Sequence, residues 1–366
     1  MQIQSFNEDR RRIKISYKVE SCKVYKVSYM TKVVTIGSIC QDIFFPTSEG
    51  VVLETPEDVL SQKKLAFELG GKCAIEQRYE TLGGNSVNVA VGLSKLGVDV
   101  MAYTTIGDDA VGKWIMKELK ETGVKTGAVK TESDCGSDLS AIIVDEKSSD
   151  RVIFSSHIAN KKLAFSAERI GNPEWMFIGD LSGDWQKITD DILLFAKKKN
   201  VNLAFNPRQK TIHSDVKKII QTISVCEVLF VNKDEAIEIV NGYDKNILQE
   251  LLEEEEYLVK TLYEIGAKTV AVTDGIRGAW AYDGVAVMHF DAVIQENAVD
   301  TTGAGDAFTS GFLAAHLKGK DLSESLKWGI ANSSNSVTEY GGQKGLLTEK
   351  QIAAMISNIS GNHKSL

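Results

Sequence analysis

The segment 300–312, DTTGAGDAFTSGF, combines small residues with one carboxylate in a pattern that suits phosphate chemistry. It follows a predicted β segment and opens a predicted helix. Gly303, Ala304 and Gly305 allow a tight turn, and backbone N–H groups at the positive end of a helix form an anion site. Asp306 at the same point has two interpretations, which the composition leaves open. It is either a proton acceptor for an attacking hydroxyl or a cap for its helix.

A second glycine-containing turn, GDDAVGKW at 107–114, is close to the nucleotide-binding P-loop pattern. Trp114 stands where that pattern needs a hydroxyl group for magnesium. Asp108 and Asp109 would also place carboxylates against phosphate oxygens. We therefore expect Asp109 to cap the following helix instead of taking part in nucleotide binding.

The composition excludes several classes of protein. The 366 residues include 42 Lys and Arg against 50 Asp and Glu, which gives a net charge of −8 and predicts no nucleic-acid partner. No run of 18 apolar residues occurs, so no membrane partner is expected. The five cysteines are dispersed without a CxxC pair, which favours a reducing compartment, the cytoplasm.

Short β-branched runs alternate with helical stretches from residue 32 onward, which predicts an α/β fold with a mainly parallel sheet covered on both faces. The predicted strands are 32–37, 98–105, 175–179, 201–205, 227–231 and 268–273. The predicted helices are 86–96, 110–122, 187–199, 216–224, 233–241, 246–265, 304–317, 322–339 and 348–359. Residues 50–81 and 137–156 break this rhythm and predict a small β subdomain, with a hairpin turn at 147–150.

An upstream segment at 81–112, TLGGNSVNVAVGLSKLGVDVMAYTTIGDDAVG, completes a pair of patterns. Together with 300–312 it resembles the two signatures of the ribokinase-like, or PfkB, carbohydrate kinase family. The downstream signature matches throughout. The upstream one departs at Ser86, where the family usually carries Gly, Ala or Pro. The resemblance covers Lys32 to about Gly345.

The resemblance implies a three-layer α/β/α ribokinase-like fold with a small inserted β-sheet lid. In that plan 30–366 is the kinase domain, and 1–29 is an N-terminal extension that is mobile or not native. The lid is formed by segments at about 44–82 and 137–158. Members of the family often pair their lids, so a homodimer through the lid is expected.

The resemblance also implies an ATP-dependent kinase that transfers the γ-phosphoryl group to a sugar hydroxyl. Asp306 is then the general base, and Gly303, Ala304 and Gly305 form the anion hole. The residues implied for the sugar are Asp42, Gly83, Gly84 and Asn88. The residues implied for ATP are Asn232, Thr273, Gly275, Gly278, Gly303, Gly305 and Asn332. The cations implied are Mg²⁺, through water at Glu235, and K⁺ at Asp300 and Thr302.

The identity of the acceptor stays open at this point. Ribose, fructose, a phosphorylated hexose, a sugar acid and nucleosides all remain candidates. Arg208, which follows Asn206 and Pro207, suits an acidic sugar or a nucleotide phosphate. The alternatives to a sugar kinase are a nucleoside kinase of the same fold and a non-catalytic sugar-sensing relative.

Overall fold

The structure is a computed structural model that describes residues 32–55, 63–148, 150–359 and 361–364. The predicted extension at 1–29 lies outside the described residues. Within the described part of the chain, no helix is both long and apolar enough to cross a membrane.

Most of the strands belong to one central sheet. The strands are β1 (Val33–Ile36), β2 (Cys40–Thr47), β3 (Val51–Glu54), β4 (Lys63–Ala66), β5 (Tyr79–Gly83), β6 (Val100–Gly107), β7 (Lys125–Glu132), β8 (Leu139–Asp145), β9 (Arg151–Ser156), β10 (Trp175–Ile178), β11 (Asn202–Phe205), β12 (Val228–Asn232), β13 (Thr269–Thr273), β14 (Ala279–Tyr282), β15 (Val287–Phe290) and β16 (Gly361–Lys364). The 10-stranded sheet has the order β16-β15-β14-β13-β12-β11-β10-β1-β6-β7. The strands from β13 to β7 pair in parallel, and β14 to β16 continue the sheet in antiparallel pairing. Every strand predicted from the alternating pattern lies in the parallel part.

Helices cover both faces of this sheet. The α-helices are α1 (Asn85–Lys95), α2 (Ala110–Glu121), α3 (Trp185–Lys199), α4 (Gln209–Ser214), α5 (Val216–Ile223), α6 (Lys233–Tyr243), α7 (Gln249–Leu252), α8 (Glu255–Ile265), α9 (Ala304–Leu317), α10 (Leu322–Ser336) and α11 (Glu349–Met355). Successive β1 side chains face opposite layers: Val33 belongs to the cluster with α1, α2, α9 and α10, whereas Val34 belongs to the cluster with α3, α5, α6 and α8. The predicted three-layer α/β/α architecture is therefore confirmed.

The helix predicted at 246–265 is wrong in one respect, because it is two helices, α7 and α8. The chain leaves helical geometry at Glu254, which is extended, directly after the C-cap residue Glu253. There the Glu253 carbonyl accepts a hydrogen bond from Nζ of Lys233 at 2.8 Å. An ammonium group from a neighbouring helix thus satisfies a carbonyl at the helix end.

A second, smaller sheet has the order β5-β2-β8-β9. β2 and β8 are parallel and the other neighbours are antiparallel, while β3 and β4 form a separate hairpin. These strands fall largely within the segments expected for the lid, and β8 pairs with β9 across the predicted turn at 147–150. β2 begins at Cys40, earlier than the expected boundary at 44. The second sheet therefore includes Asp42.

Candidate active site

Helix α9 begins at a turn that no side chain caps. Gly303 occupies the N-cap position in the left-handed region, with φ of 76°, and a Cβ there would lie 2.5 Å from Cα of Gly342. Glycine is therefore required by both conformation and space. The Ala304 N–H is bonded to the Thr301 carbonyl at 3.3 Å, so Ala304 does not offer its N–H to a ligand.

The next two backbone N–H groups of this turn are open. Among the described residues, nothing accepts a hydrogen bond from the N–H of Gly305 or Asp306. A Cβ built on Gly305 meets no atom within 4 Å, so the turn faces open space. Unpaired N–H groups at the positive end of a helix attract an anion. The turn at 303–305 therefore has the geometry expected of an anion site.

The carboxylate of Asp306 is buried beside this turn and faces another helix. Its Oδ1 accepts a hydrogen bond from Nδ2 of Asn85 at 2.7 Å, and its Oδ2 accepts one from Nδ2 of Asn88 at 2.8 Å. The guanidinium of Arg208 lies 3.9 Å from Oδ1. These partners belong to α1 and to the loop after β11. Asp306 therefore does not serve as the cap of its own helix.

Sequence reasoning missed Asn85, which connects three parts of this site. Its Nδ2 also contacts Oδ1 of Asn206 at 2.9 Å, and its Oδ1 accepts the backbone N–H of Asp180 at 3.0 Å. The Asn206 amide donates in turn to the Phe230 carbonyl at 2.8 Å. The available signal is its position directly after the glycine pair at 83–84. The buried amides hold the Asp306 carboxylate in one orientation.

The residues predicted for the sugar lie together next to Asp306. Asp42 is buried in β2 and accepts a hydrogen bond from Sγ of Cys40 at 3.2 Å. Burial raises the pKa of the Asp42 carboxyl, and the negative charges of Asp300 and Asp306 add to that increase. A Cβ on Gly83 would lie 2.0 Å from Oδ2 of Asp42, so a larger residue there would displace that carboxylate.

Gly84 and Asn88 complete this group on α1. Gly84 caps the helix with φ of 96°, and a Cβ there would lie 2.4 Å from the Ser38 carbonyl oxygen. Asn88 donates to Asp306 through its nitrogen and accepts from Nε2 of Gln343 at 2.9 Å through its oxygen. Asn88 therefore links Asp306 to the loop that follows α10.

A cavity of about 50 Å³ lies on the other side of Asp306. Its lining includes Arg208, Asn232, Glu235, Thr273, Gly305 and Asp306. Asn232 and Glu235 cap α6 reciprocally: the Asn232 side chain accepts from the Glu235 N–H at 2.8 Å, and Glu235 Oε2 accepts from the Asn232 N–H at 3.0 Å. Burial raises the pKa of Glu235, which is therefore not a solvated helix residue.

Charge in this cavity is partly balanced by Arg208. Burial works against its charged form, but the carboxylates of Asp306, Asp180 and Glu235 together raise the pKa of Arg208. The guanidinium therefore stays charged, and it places one positive group between the acidic residues of the site.

The structure does not bring every residue predicted for ATP to this cavity. Thr273 lines it, whereas Gly275 and Gly278 form the tight turn between β13 and β14. A Cβ on Gly278 would lie 2.0 Å from the Phe290 carbonyl oxygen. The close approach of Phe290 therefore explains the glycine at position 278 without any ligand.

Asn332 lies inside α10 with no exposed surface. Its nitrogen donates to the Ala307 carbonyl at 2.9 Å and contacts Oγ of Ser310 at 3.2 Å, and its oxygen accepts from the Leu347 N–H at 2.8 Å. The amide therefore joins α9, α10 and the following loop, and it is not presented to a ligand in this geometry.

The pair predicted for K⁺, Asp300 and Thr302, lies just before the anion turn. Asp300 Oδ1 accepts from the N–H and hydroxyl of Thr302 at 2.9 and 2.7 Å, and Oδ2 accepts from the Gly341 N–H at 2.9 Å. Arg151 of β9 lies 3.5 Å from Asp300 Oδ1 and donates to the Thr301 hydroxyl at 3.0 Å. Each oxygen of the Asp300 carboxylate thus accepts at least one hydrogen bond from the protein.

The sequence matches a model of the pfkB family carbohydrate kinases over residues 30–349. It is 27% identical over 297 residues to a ribokinase of Haemophilus influenzae, covering 78% of this chain and 90% of that protein. It is 28% identical over 281 residues to an ATP-dependent 6-phosphofructokinase of Thermoanaerobacterium thermosaccharolyticum, covering 74% of this chain and 82% of that protein.

Solved structures resemble the fold over most of its length. A ribokinase of Arabidopsis thaliana complexed with ribose and ATP superposes with a TM-score of 0.70 at 20% identity, covering 89% of this chain and 99% of that one. A nucleoside kinase of Burkholderia thailandensis in complex with inosine gives 0.71 at 19% identity, covering 89% and 96%. The family match spans the two signatures and the site they form, and we conclude that the chain belongs to the pfkB family of carbohydrate kinases.

Proposed function

We propose that the protein is an ATP-dependent sugar kinase with Asp306 as general base. The observation that carries this proposal is the pairing of an uncapped helix N-terminus with a buried carboxylate. The free N–H groups of Gly305 and Asp306 would receive the transferring phosphoryl group, while the carboxylate faces the predicted sugar residues. The turn from Gly303 to Gly305 is then the anion hole.

The reaction follows from these positions. A sugar hydroxyl oxygen attacks the γ-phosphorus of ATP, the bond from that phosphorus to the β–γ bridging oxygen breaks, and ADP leaves. The hydroxyl proton passes to the Asp306 carboxylate. Amide donors from Asn85 and Asn88 fix the direction of this carboxylate. Since the transition state of phosphoryl transfer is loose, a weak base in the right place is sufficient.

ATP would lie on the side of the small cavity. Asn232 and Thr273 line or border the space where its phosphates would enter, and Gly275 and Gly278 shape the neighbouring turn. Asn332 supports this region from the interior through α9 and α10. These assignments rest on placement and on the family resemblance.

Magnesium fits this site through water. Within the described residues, no group of three or more His, Cys, Asp or Glu side chains is arranged to hold a metal by itself. Glu235 lines the same cavity as Asp306, and Mg²⁺ typically keeps several waters and binds through one or two carboxylates plus substrate phosphates. Glu235 would hold the hydrated ion, which supplies charge neutralisation of the phosphate oxygens when bound.

A K⁺ ion at Asp300 and Thr302 rests on the family resemblance alone. Both carboxylate oxygens already have protein partners, and the guanidinium of Arg151 supplies a positive charge beside one of them. The hydroxyl of Thr302 donates a hydrogen bond to the same carboxylate. The proposed reaction therefore includes no K⁺ ion at these residues.

The proposed assembly is a homodimer through the second sheet. β9 is an edge strand of that sheet, and it exposes Val152, Ile153 and Phe154 by 36, 49 and 63%. An apolar edge of this kind favours pairing with another chain. Size-exclusion chromatography with light scattering should give the mass of a dimer, and Phe154→Lys should shift it to a monomer. A monomeric wild-type protein would contradict this assignment.

A coupled ADP-release screen across sugars and nucleosides tests the proposed function. We expect turnover with a sugar, dependent on Mg²⁺ and abolished by chelation. Turnover with nucleosides alone would favour a nucleoside kinase. ATP binding without turnover on any acceptor would favour a non-catalytic, sugar-sensing protein. The cytoplasm remains the expected compartment, as inferred from the dispersed cysteines.

A further inference from the structure

A second cavity, of about 330 Å³, lies beside the candidate active site. We call it the distal cavity. Its lining includes His157, Lys161, Asp180, Ser182, Trp185 and Lys210. The loop after β10 and helix α4, which follows β11, supply part of this lining, and the carboxyl ends of parallel strands are where open α/β sheets bind ligands.

Two sets of contacts connect the wall of the distal cavity to Asp306, one through Asn85 and the other through Arg208. Asp180 in its wall donates its backbone N–H to Asn85, whose amide donates to Asp306. On the other side, the Thr211 hydroxyl of the lining donates at 2.7 Å to the carbonyl of Arg208, whose guanidinium lies 3.9 Å from Asp306. The distal cavity therefore lies next to the residues that contact Asp306.

Two unpaired ammonium groups line the distal cavity. Among the described residues, neither Lys161 nor Lys210 has a hydrogen bond or a carboxylate within ion-pair distance. Two positive charges in one cavity favour an anionic ligand.

The backbone beneath Lys161 is held firmly. Gly183 has φ of 67°, and a Cβ there would lie 2.3 Å from the Lys161 carbonyl oxygen, so the two loops approach as closely as glycine permits. The neighbouring Asn160 donates at 2.9 Å to the Ile39 carbonyl and at 2.6 Å to Asp138. The turn that carries Lys161 is therefore fixed at the cavity wall.

The carboxylate of Asp180 adds a hydrogen-bond acceptor to the distal cavity. Its side-chain oxygens have no hydrogen-bond donor among the described residues. Burial raises the pKa of Asp180, while the positive charges of Arg208, His157 and Lys210 favour its ionised form. An unpaired carboxylate accepts hydroxyl donors. The distal cavity thus suits a molecule with both hydroxyl groups and an anionic group.

We propose that the distal cavity receives a carboxylate or phosphate carried by the acceptor, which makes the acceptor an anionic polyol and not a neutral sugar or nucleoside. The anionic group would accept charge-assisted hydrogen bonds from Lys161 and Lys210. The inference rests on the proposed function, because it concerns the acceptor of the same phosphoryl transfer.

Matched pairs of acceptors test the inference. The pairs are glucose with gluconate, fructose with fructose 6-phosphate, and ribose with ribose 5-phosphate, and the measured quantity is kcat/KM from ADP release. We expect the anionic member of at least one pair to exceed its neutral partner by tenfold or more. The carboxylate pair and the phosphate pairs show which anion the cavity takes.

Substitution of Lys161 and Lys210 tests whether a preference for anionic acceptors comes from the distal cavity. Lys161→Gln and Lys210→Gln should each reduce the ratio of anionic to neutral kcat/KM by about tenfold, as expected for a lost charged hydrogen bond, with the KM for ATP unchanged. Both side chains are exposed, so the fold should persist. Lys162→Gln is the matched control, since this exposed neighbour does not line the cavity.

The outcomes separate the two claims. Equal use of neutral and anionic acceptors, or an unchanged ratio in both lysine variants, would overturn the inference and leave the kinase intact. No ADP release with any acceptor would overturn the proposed function, and the inference would fall with it.

Discussion

Helices α2 and α9 both begin at glycine-containing turns after a strand segment, and their N-termini are built in opposite ways. At α2 the carboxylate of Asp109 accepts hydrogen bonds from the Gly112 N–H at 2.7 Å and the Ser137 N–H at 2.8 Å. At α9 no side chain caps the helix, and in the described structure the N–H groups of Gly305 and Asp306 have no acceptor. A filled terminus stabilises the fold, whereas an open one is available to an anion.

The acidic residues explain this difference. Asp109 turns back onto the start of its own helix, as the sequence predicts. Asp306 instead points to Asn85 and Asn88 on α1, which leaves the backbone of its own helix open. The two turns are alike in composition, and the direction of one carboxylate decides which of them stabilises the fold and which offers a binding site.

The largest effect is expected from Asp306→Asn. The variant should fold, because the side chain keeps its shape, but kcat should fall by about 10²–10⁴ through loss of the base. Steady-state ADP release measures the change, and thermal unfolding checks the fold. Asp108→Asn, an exposed acid at the α2 turn, is the matched control. Near-wild-type turnover in Asp306→Asn would remove Asp306 from the mechanism.

Gly303→Ala should have the next largest effect. A left-handed backbone costs a non-glycine residue about 1–2 kcal/mol, and the overlap with Gly342 adds to that cost. Urea unfolding should therefore show a lower free energy of unfolding. Gly305→Ala is the control within the same turn, since its Cβ would enter open space. Equal stability of the two variants would contradict the geometry described for the turn.

Asp109→Ala should destabilise the protein by about 0.5–2 kcal/mol, as is usual for loss of an N-cap. The kcat of the folded enzyme should stay unchanged, because the α2 terminus takes no part in the reaction. The expected pattern is the reverse of that for Asp306→Asn. A loss of kcat without a loss of stability would show that the two turns are not as different as proposed.

The smallest effect concerns pH. Burial opposes the charged form of Asp109, but hydrogen bonds from Gly112 and Ser137 outweigh it and lower the pKa below its ordinary value of 3.8. Between the lower pKa of the folded state and the ordinary pKa of 3.8, the folded state binds fewer protons than the unfolded state. The stabilisation by Asp109 is therefore present above pH 3.8 and is lost as the pH falls through the pKa of the folded state. The stability difference between wild type and Asp109→Ala should shrink in acid. A pH-independent difference would contradict this account.

Much of this arrangement follows from local sequence pattern. The parallel strands are predictable from their β-branched runs, and Gly83, Gly84, Asn88 and Asp306 lie together as the two signatures imply. Asn85 is not predictable in the same way. In sequence it is an ordinary first residue of a helix, and its importance comes from contacts with residues 121 and 221 positions away.

The internal role of Asn332 and the break between α7 and α8 also involve contacts between residues that are distant in sequence. Asn332 is polar and lies in a helix, and only the packing of α9 against α10 shows that its amide is used internally. The break before Glu255 depends on Lys233, which comes from another helix. Side chains whose partners are distant in sequence leave no periodic signal, so sequence pattern does not predict them.

The placement of Asp42 in the second sheet has a further consequence. Its backbone is fixed by register with Thr81 on one side and Ser140 on the other, whereas Asp306 is fixed to the buried helix α9 of the main domain. If Asp42 binds the acceptor as proposed, the acceptor lies between the second sheet, which holds Asp42, and the helices α1 and α9, which hold Asn88 and Asp306. The acceptor would then crosslink the two sheets at the point of phosphoryl transfer.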